Sequence, residues 1–262
     1  MRLTVRAIVA VGFCCFAVPA SAQDKPFLFS VTTATDPARR AVRFEYEVGA
    51  GERALLGSGA GHEQRVAIQA YHGRWTLIAR LGLLEERRAY RSAQAGEVLF
   101  SIVQPSASGF TLAGGAGLLH EASGVNVLLA RLVSGRESLA WRLHGNLLLQ
   151  KPFAEDRDAI DLITTAGWAR KMNRGVAVGI ETFAEDLEAF WDPAEAEGGA
   201  RILVGPSLHV APGGRRWQLT TTAGPVFHPT QTGRSSDAFR DLPPPRGRVD
   251  YAIRAGLTYR LW

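Results

Sequence analysis

The stretch SLAWRLHGNLLLQ, residues 138–150, alternates apolar and polar side chains, with Trp141 on one face and Arg142, His144 and Asn146 on the other. A period of two marks a β-strand whose faces meet two different environments. The pattern returns in AVRFEYEV (41–48), RVAIQAY (65–71), RWTLIARLGLL (74–84), DAIDLITTAGWAR (158–170) and RRWQLTTTAGPVF (215–227), and no window of comparable length keeps a helical period. The chain is therefore read as all-β.

A soluble sandwich and a membrane barrel both alternate, and strand length separates them. Sandwich strands average about 5–6 residues, whereas a tilted strand needs about 9–11 to cross a bilayer. The runs after residue 108 are mostly 10–12 long. Trp75, Trp141, Trp168 and Trp217 each fall on the apolar face near a strand end, as the interfacial girdle of a barrel requires. Many other positions on both faces are Gly, Ala or Thr, which would fill a sandwich core poorly. The reading is a transmembrane, antiparallel, up-and-down β-barrel.

Strands are expected near 41–48, 63–71, 74–84, 97–104, 109–118, 124–133, 138–149, 158–169, 174–184, 200–211, 215–226 and 248–261. This gives about twelve, with ten or fourteen also compatible. Short turns are expected at 72–74, 134–137, 171–174 and 211–214, and longer connections at 49–62, 85–96, 185–199 and 228–247. Outer-membrane barrels place short turns in the periplasm and long loops outside. An upward first strand then brings the twelfth back to the periplasm.

Residues 1–22 have the three parts of a cleaved secretory signal: Arg2 and Arg6, an apolar run from Ala7 to Val18, and Ala20-Ser21-Ala22. Both cysteines, Cys14 and Cys15, lie inside that signal, so the exported chain is expected to carry no disulfide or thiolate metal site. Loss of the two arginines takes the formal net charge from +5 to +3, with acids and bases interspersed, which argues against a nucleic-acid partner. Residues 23–40, including FLFSVTTA (27–34), form a pre-barrel segment, an extra strand or a plug, and 41–262 the barrel. The expected place is the cell outer membrane.

The final stretch, YAIRAGLTYRLW (251–262), sets Tyr251, Ile253, Ala255, Leu257, Tyr259 and Leu261 on one face. It resembles the closing strand of Gram-negative outer-membrane β-barrel proteins, in which a terminal aromatic follows alternating apolar residues. That resemblance implies two partners, outer-membrane lipid and the barrel-assembly machinery. It also implies that Tyr259, Leu261 and Trp262 supply the assembly signal, although Trp262 stands one residue beyond the expected end. Tyr251 and Tyr259 join the tryptophans as lipid-interface aromatics. More loosely, RGVAVGIETF (174–183) followed by ARILVGPSLHV (200–210) looks like outer-membrane transporters of the aromatic-degradation type.

Projection of the strands places Arg43, Glu45, Glu47, Arg65, Arg80, Arg142, His144, Asn146, Asp161, Glu181, His209 and Arg254 on the lumen face. They would either line a selective polar pore or satisfy one another inside a closed barrel. Closure of the sheet should bring Glu45 or Glu47 beside Arg254.

Ser207 and His209 share one strand face, as a serine hydrolase acting on lipid would need. However, the projection sends both inward, and polar filling of the lumen is the plainer account. The histidines at 62, 72, 120, 144, 209 and 228 have no metal-ligand spacing, and GSGAG (57–61) has no phosphate-loop sequel. No cofactor or metal is expected. The loop EDLEAFWDPAEAEGGA (185–200) carries Glu185, Asp186, Glu188, Asp192, Glu195 and Glu197, and reads as a solvated acidic loop or as a cation-attracting gate. Its counterpart at 232–248 is basic and proline-rich. The function that fits these features is a passive pore or transporter for a small, unidentified solute, with a closed structural barrel or a lipid hydrolase as alternatives.

Overall fold

The computed structural model describes residues 41–51, 62–86, 89–103, 109–121, 124–154, 159–173, 175–192, 199–211, 216–230 and 249–261. The signal, the pre-barrel segment, the 232–248 loop, Glu195, Glu197 and Trp262 lie outside them. The strands are β1 (Ala41–Gly51), β2 (His62–His72), β3 (Trp75–Glu86), β4 (Ala89–Val103), β5 (Phe110–His120) and β6 (Asn126–Glu137). There follow β7 (Trp141–Pro152), β8 (Asp161–Lys171), β9 (Val176–Glu185), β10 (Arg201–Val210), β11 (Trp217–Phe227) and β12 (Val249–Arg260). One short 3₁₀ turn, Leu187–Phe190, follows β9.

Each strand pairs antiparallel with its sequence neighbours, and β1 pairs β12, so the sheet is a closed barrel. Closure leaves no open edge, and every strand's main chain finds a partner within the sheet. That is the condition for crossing a bilayer, where no water is available to solvate backbone groups. Between β10 and β11 the pairing pauses from Leu203/Val226 to Ser207/Thr222. Pro206 and Pro225 fall in this interval, and neither has an N–H to donate.

Alternation along the strands decides which face is which. The outer wall exposes Ile68, Leu77, Leu81, Val98, Leu118, Leu132, Leu147, Ile180, Leu208 and Ile253, among others, on every side of the barrel. A continuous apolar surface of this extent is unsuited to water and suited to lipid. Inside, Phe183, Leu203, Val226 and Ala252 form one buried cluster, and Val127, Leu129, Leu148 and Ile163 another, both toward the long-loop end. Ile78, Leu99, Ala113 and Val133 form a third toward the short-turn end.

Three expectations change. Residues 85–96 are not a long connection: β3 runs to Glu86 and β4 starts at Ala89, with Leu81 opposite Gln94 and Leu83 opposite Ser92. The alanines, serine and glycine of AYRSAQAG hide the alternation, but the main-chain ladder does not need larger side chains. The β6–β7 turn lies at 138–140 rather than 134–137. Ser138 Oγ accepts hydrogen bonds from the N–H groups of Ala140 and Trp141, fixing the corner there. The first part of the acidic loop is not solvated either, since Glu185, Asp186 and Glu188 are buried and Glu188 Oε2 accepts from the Leu162 N–H at 2.8 Å.

Candidate functional site

The aromatic residues expected at the interface separate by height. Trp75, Trp141, Trp168, Trp217 and Tyr259 stand near the short-turn end, and Tyr251 near the other. Trp75, Trp168, Trp217 and Tyr251 are exposed on the outer wall, while Trp141 and Tyr259 are half-buried. Trp217 packs against Tyr259 with ring centres 4.3 Å apart, and Trp75 against Phe100 at 4.9 Å. Leu261, the last described residue, donates its N–H to the Val42 carbonyl at 2.9 Å, tying the chain end to β1.

The inward face carries a belt of acidic and basic side chains. On the β1–β12 seam, Glu47 Oε1 lies 3.2 Å from Arg254 Nη2, and its other oxygen bonds Arg65 of β2. Glu47 is thus the partner that closure brings to Arg254. Arg254 also stacks 4.2 Å over the Phe183 ring and reaches toward Glu181 of β9, Nη1 to Oε2 at 3.9 Å. Thr222 donates its hydroxyl to Glu181 Oε2 at 2.5 Å. His209 Nε2 is 3.1 Å, and His144 Nε2 3.9 Å, from Glu181 Oε1.

On the other half of the wall, Glu97 of β4 takes a two-pronged contact from Arg131 of β6, at 2.5 and 3.0 Å, and a further bond from Arg80 of β3. Arg43 lies 5.4 Å over the Tyr71 ring, and Tyr71 donates its hydroxyl to Gln69 at 2.5 Å. Asn146 donates to Thr165 at 3.2 Å. Glu45 and Asp161 are also buried on this face. Arg142 is half-buried on β7, and its Nε and Nη2 have no partner among the described residues.

Glycines decide which charges can meet across intervening strands. In the sheet His144 sits opposite Gly167, and Gly167 opposite Glu181, so β7 and β9 side chains approach one another over a bare stretch of β8. A Cβ on Gly167 would fall 2.5 Å from His144 Nε2 and 3.0 Å from Glu181 Cγ. Gly117 plays the same part on β5, where a Cβ would come within 2.5 Å of Glu97 Cγ. Gly167→Val is therefore expected to push the two side chains apart and cost about 1–3 kcal/mol in urea unfolding of the vesicle-refolded barrel. A variant as stable as the parent would show the gap to be dispensable.

Strand projection missed Glu97 and Arg131. Glu97 stood at the edge of a strand begun too late, although Val98 and Phe100 outward would have turned it inward. Arg131 is a single cation within the apolar run from Val127 to Val133.

Ser207 and His209 are both buried on the inward face and do not form the serine–histidine bond of a hydrolase. His209 Nδ1 is 3.2 Å from Thr220 Oγ1 and its Nε2 faces Glu181. Ser207 Oγ has no hydrogen-bond partner among the described residues.

No protein-family model matches the chain, and no curated protein matches it. Solved structures do. The KdgM porin aligns over 83% of this chain and 98% of its own, with a TM-score of 0.53 and 13% identity. The same porin in complex with disordered oligogalacturonate gives 14% identity and the same TM-score. The NanC porin aligns over 84% of this chain and 99% of its own, with a TM-score of 0.55 and 8% identity. The chain has the fold of an outer-membrane porin. At these identities the likeness is one of architecture.

Proposed function

We propose that the barrel sits in the outer membrane and passes small hydrophilic solutes, with the ionised belt as its charge filter. The observation that carries this reading is the belt itself: Arg43, Arg65, Arg80, Arg131, Arg142 and Arg254 face inward against Glu45, Glu47, Glu97 and Glu181. A barrel serving only as a scaffold gains little from ionised groups inside, because desolvation offsets much of their mutual attraction. Ionised groups beside a solute path, in contrast, set which charge enters. The belt holds two more arginines than glutamates, which favours anions, and the carboxylates at the long-loop rim, Asp161 and Glu185, oppose this in part. The oligogalacturonate in the KdgM complex makes acidic sugars the first solutes to test. The hydrolase reading has no support from the Ser207/His209 geometry, which lies away from lipid.

Arg142 is the most direct test, since its Nε and Nη2 have no hydrogen-bond partner among the described residues. In planar bilayers under a salt gradient, the wild-type barrel should give a stable conductance with a reversal potential on the anion-preferring side. Arg142→Glu should lower the anion-to-cation permeability ratio roughly threefold, the scale of a two-unit charge change screened by water and salt. Repeated silence of a correctly folded barrel would favour the closed structural reading.

A further inference from the structure

The outer wall carries its own charged feature at the short-turn end. Arg136 near the end of β6 and Arg170 near the end of β8 both point outward and are exposed. Trp141, at the start of β7, stands between them. The Arg136 guanidinium lies 5.5 Å over its ring, and Trp141 is directly opposite Arg170 in the β7–β8 ladder. The neighbouring cation, Lys171, is already neutralised by Glu137 at 2.6 Å. Neither Arg136 nor Arg170 has an ion-pair partner among the described residues.

Just above this row the wall becomes apolar, with Leu132, Leu143, Leu147 and Trp168 exposed. Leu143 faces Trp168 across the ladder. An arginine pair astride a tryptophan, under a greasy wall, matches a phospholipid in both parts. The phosphate meets two guanidiniums with free donors, and the acyl chains lie on the leucines. Tryptophan stacking holds Arg136 in place and keeps its fork directed to the interface.

We infer that Arg136, Trp141 and Arg170 form a binding site on the outer wall for the headgroup of an anionic phospholipid in the periplasmic leaflet. The inference rests on the membrane placement proposed above and is independent of whether the barrel conducts. Its chemistry selects charge: a neutral or zwitterionic headgroup brings no net anion to the pair.

The test uses the whole barrel in vesicles of phosphatidylethanolamine and phosphatidylglycerol, released gently and weighed with its retained lipid by native mass spectrometry. The wild type should retain phosphatidylglycerol above its share in the vesicle. The double variant Arg136→Gln/Arg170→Gln should lose roughly tenfold in that preference, since each basic side chain at a membrane surface contributes on the order of one decade or less. Lys151→Gln, a cation at the opposite end of the wall, should leave it unchanged. Equal retention by wild type and double variant, or loss in the Lys151 variant alone, would overturn the site. Heat-modifiable gel mobility of each protein checks insertion separately, so a chain that never enters the vesicles counts against the membrane placement and not against this site alone.

Discussion

Glu181→Leu should be among the most destabilising single changes in this barrel. The carboxylate is buried, and it faces Thr222, His209, His144 and Arg254 from four different strands. Leucine fills a similar volume but accepts no hydrogen bond. Thr222 and His209 then lose their partner inside the wall, and Arg254 keeps only Glu47. Removing one member of a buried charge cluster typically costs about 3–5 kcal/mol, most of it the desolvation of the groups left behind. Glu181→Gln keeps an acceptor for Thr222 and should lose less than half as much, following the smaller net worth of a neutral hydrogen bond. Urea titration of the vesicle-refolded proteins, followed by tryptophan emission, reads both. An unchanged midpoint in the leucine variant would mean that the groups around Glu181 are solvated and that the cluster holds nothing together.

What the sequence disclosed follows from where each kind of information resides. Alternation was legible wherever the outer wall is apolar, because bulky exposed side chains such as Leu77, Leu143 and Ile253 recur there with a period of two. The same reading failed over residues 89–96, where Ala, Ser, Gln and Gly carry no such contrast and backbone pairing, with β3 throughout and with β5 from Gln94 on, defines the strand. Turn positions within a few residues depend on single side chains: Ser138 fixes one corner through its hydroxyl, and Asn173 another by accepting the Gly175 N–H at 2.8 Å. The inward direction of Glu47, Glu181 and Arg254 came from counting by two, but their partnerships did not. His144 and His209 are far apart in the chain, and they converge on Glu181 by different routes: the register places Gly167 between His144 and Glu181, while His209 stands on β10, the strand paired directly with that of Glu181. An inward glycine flanked across the sheet by inward polar residues is the signal that a register-aware reading would use.

The belt also predicts an order of damage at the seam where the barrel closes. Glu47→Leu removes the carboxylate from Arg65 and Arg254 together, leaving two guanidiniums to share a low-dielectric site. Arg254→Leu is milder, because Glu47 keeps Arg65 and Glu181 keeps His209 and Thr222, although the stacking on Phe183 is lost. The expected losses are about 3–5 kcal/mol for Glu47→Leu and about 1–3 for Arg254→Leu, with the double variant no worse than Glu47→Leu alone. Such sub-additivity identifies the two as one unit. The β1–β12 ladder from Arg43/Arg260 to Gly51/Ala252 is main-chain pairing and survives all three changes. The variants should therefore still close into heat-modifiable barrels and differ only in the urea concentration at which they open. If Arg254→Leu proved the more damaging, the weight of the seam would lie in the arginine's contacts with Phe183 and Glu181, and Glu47 would be its minor partner.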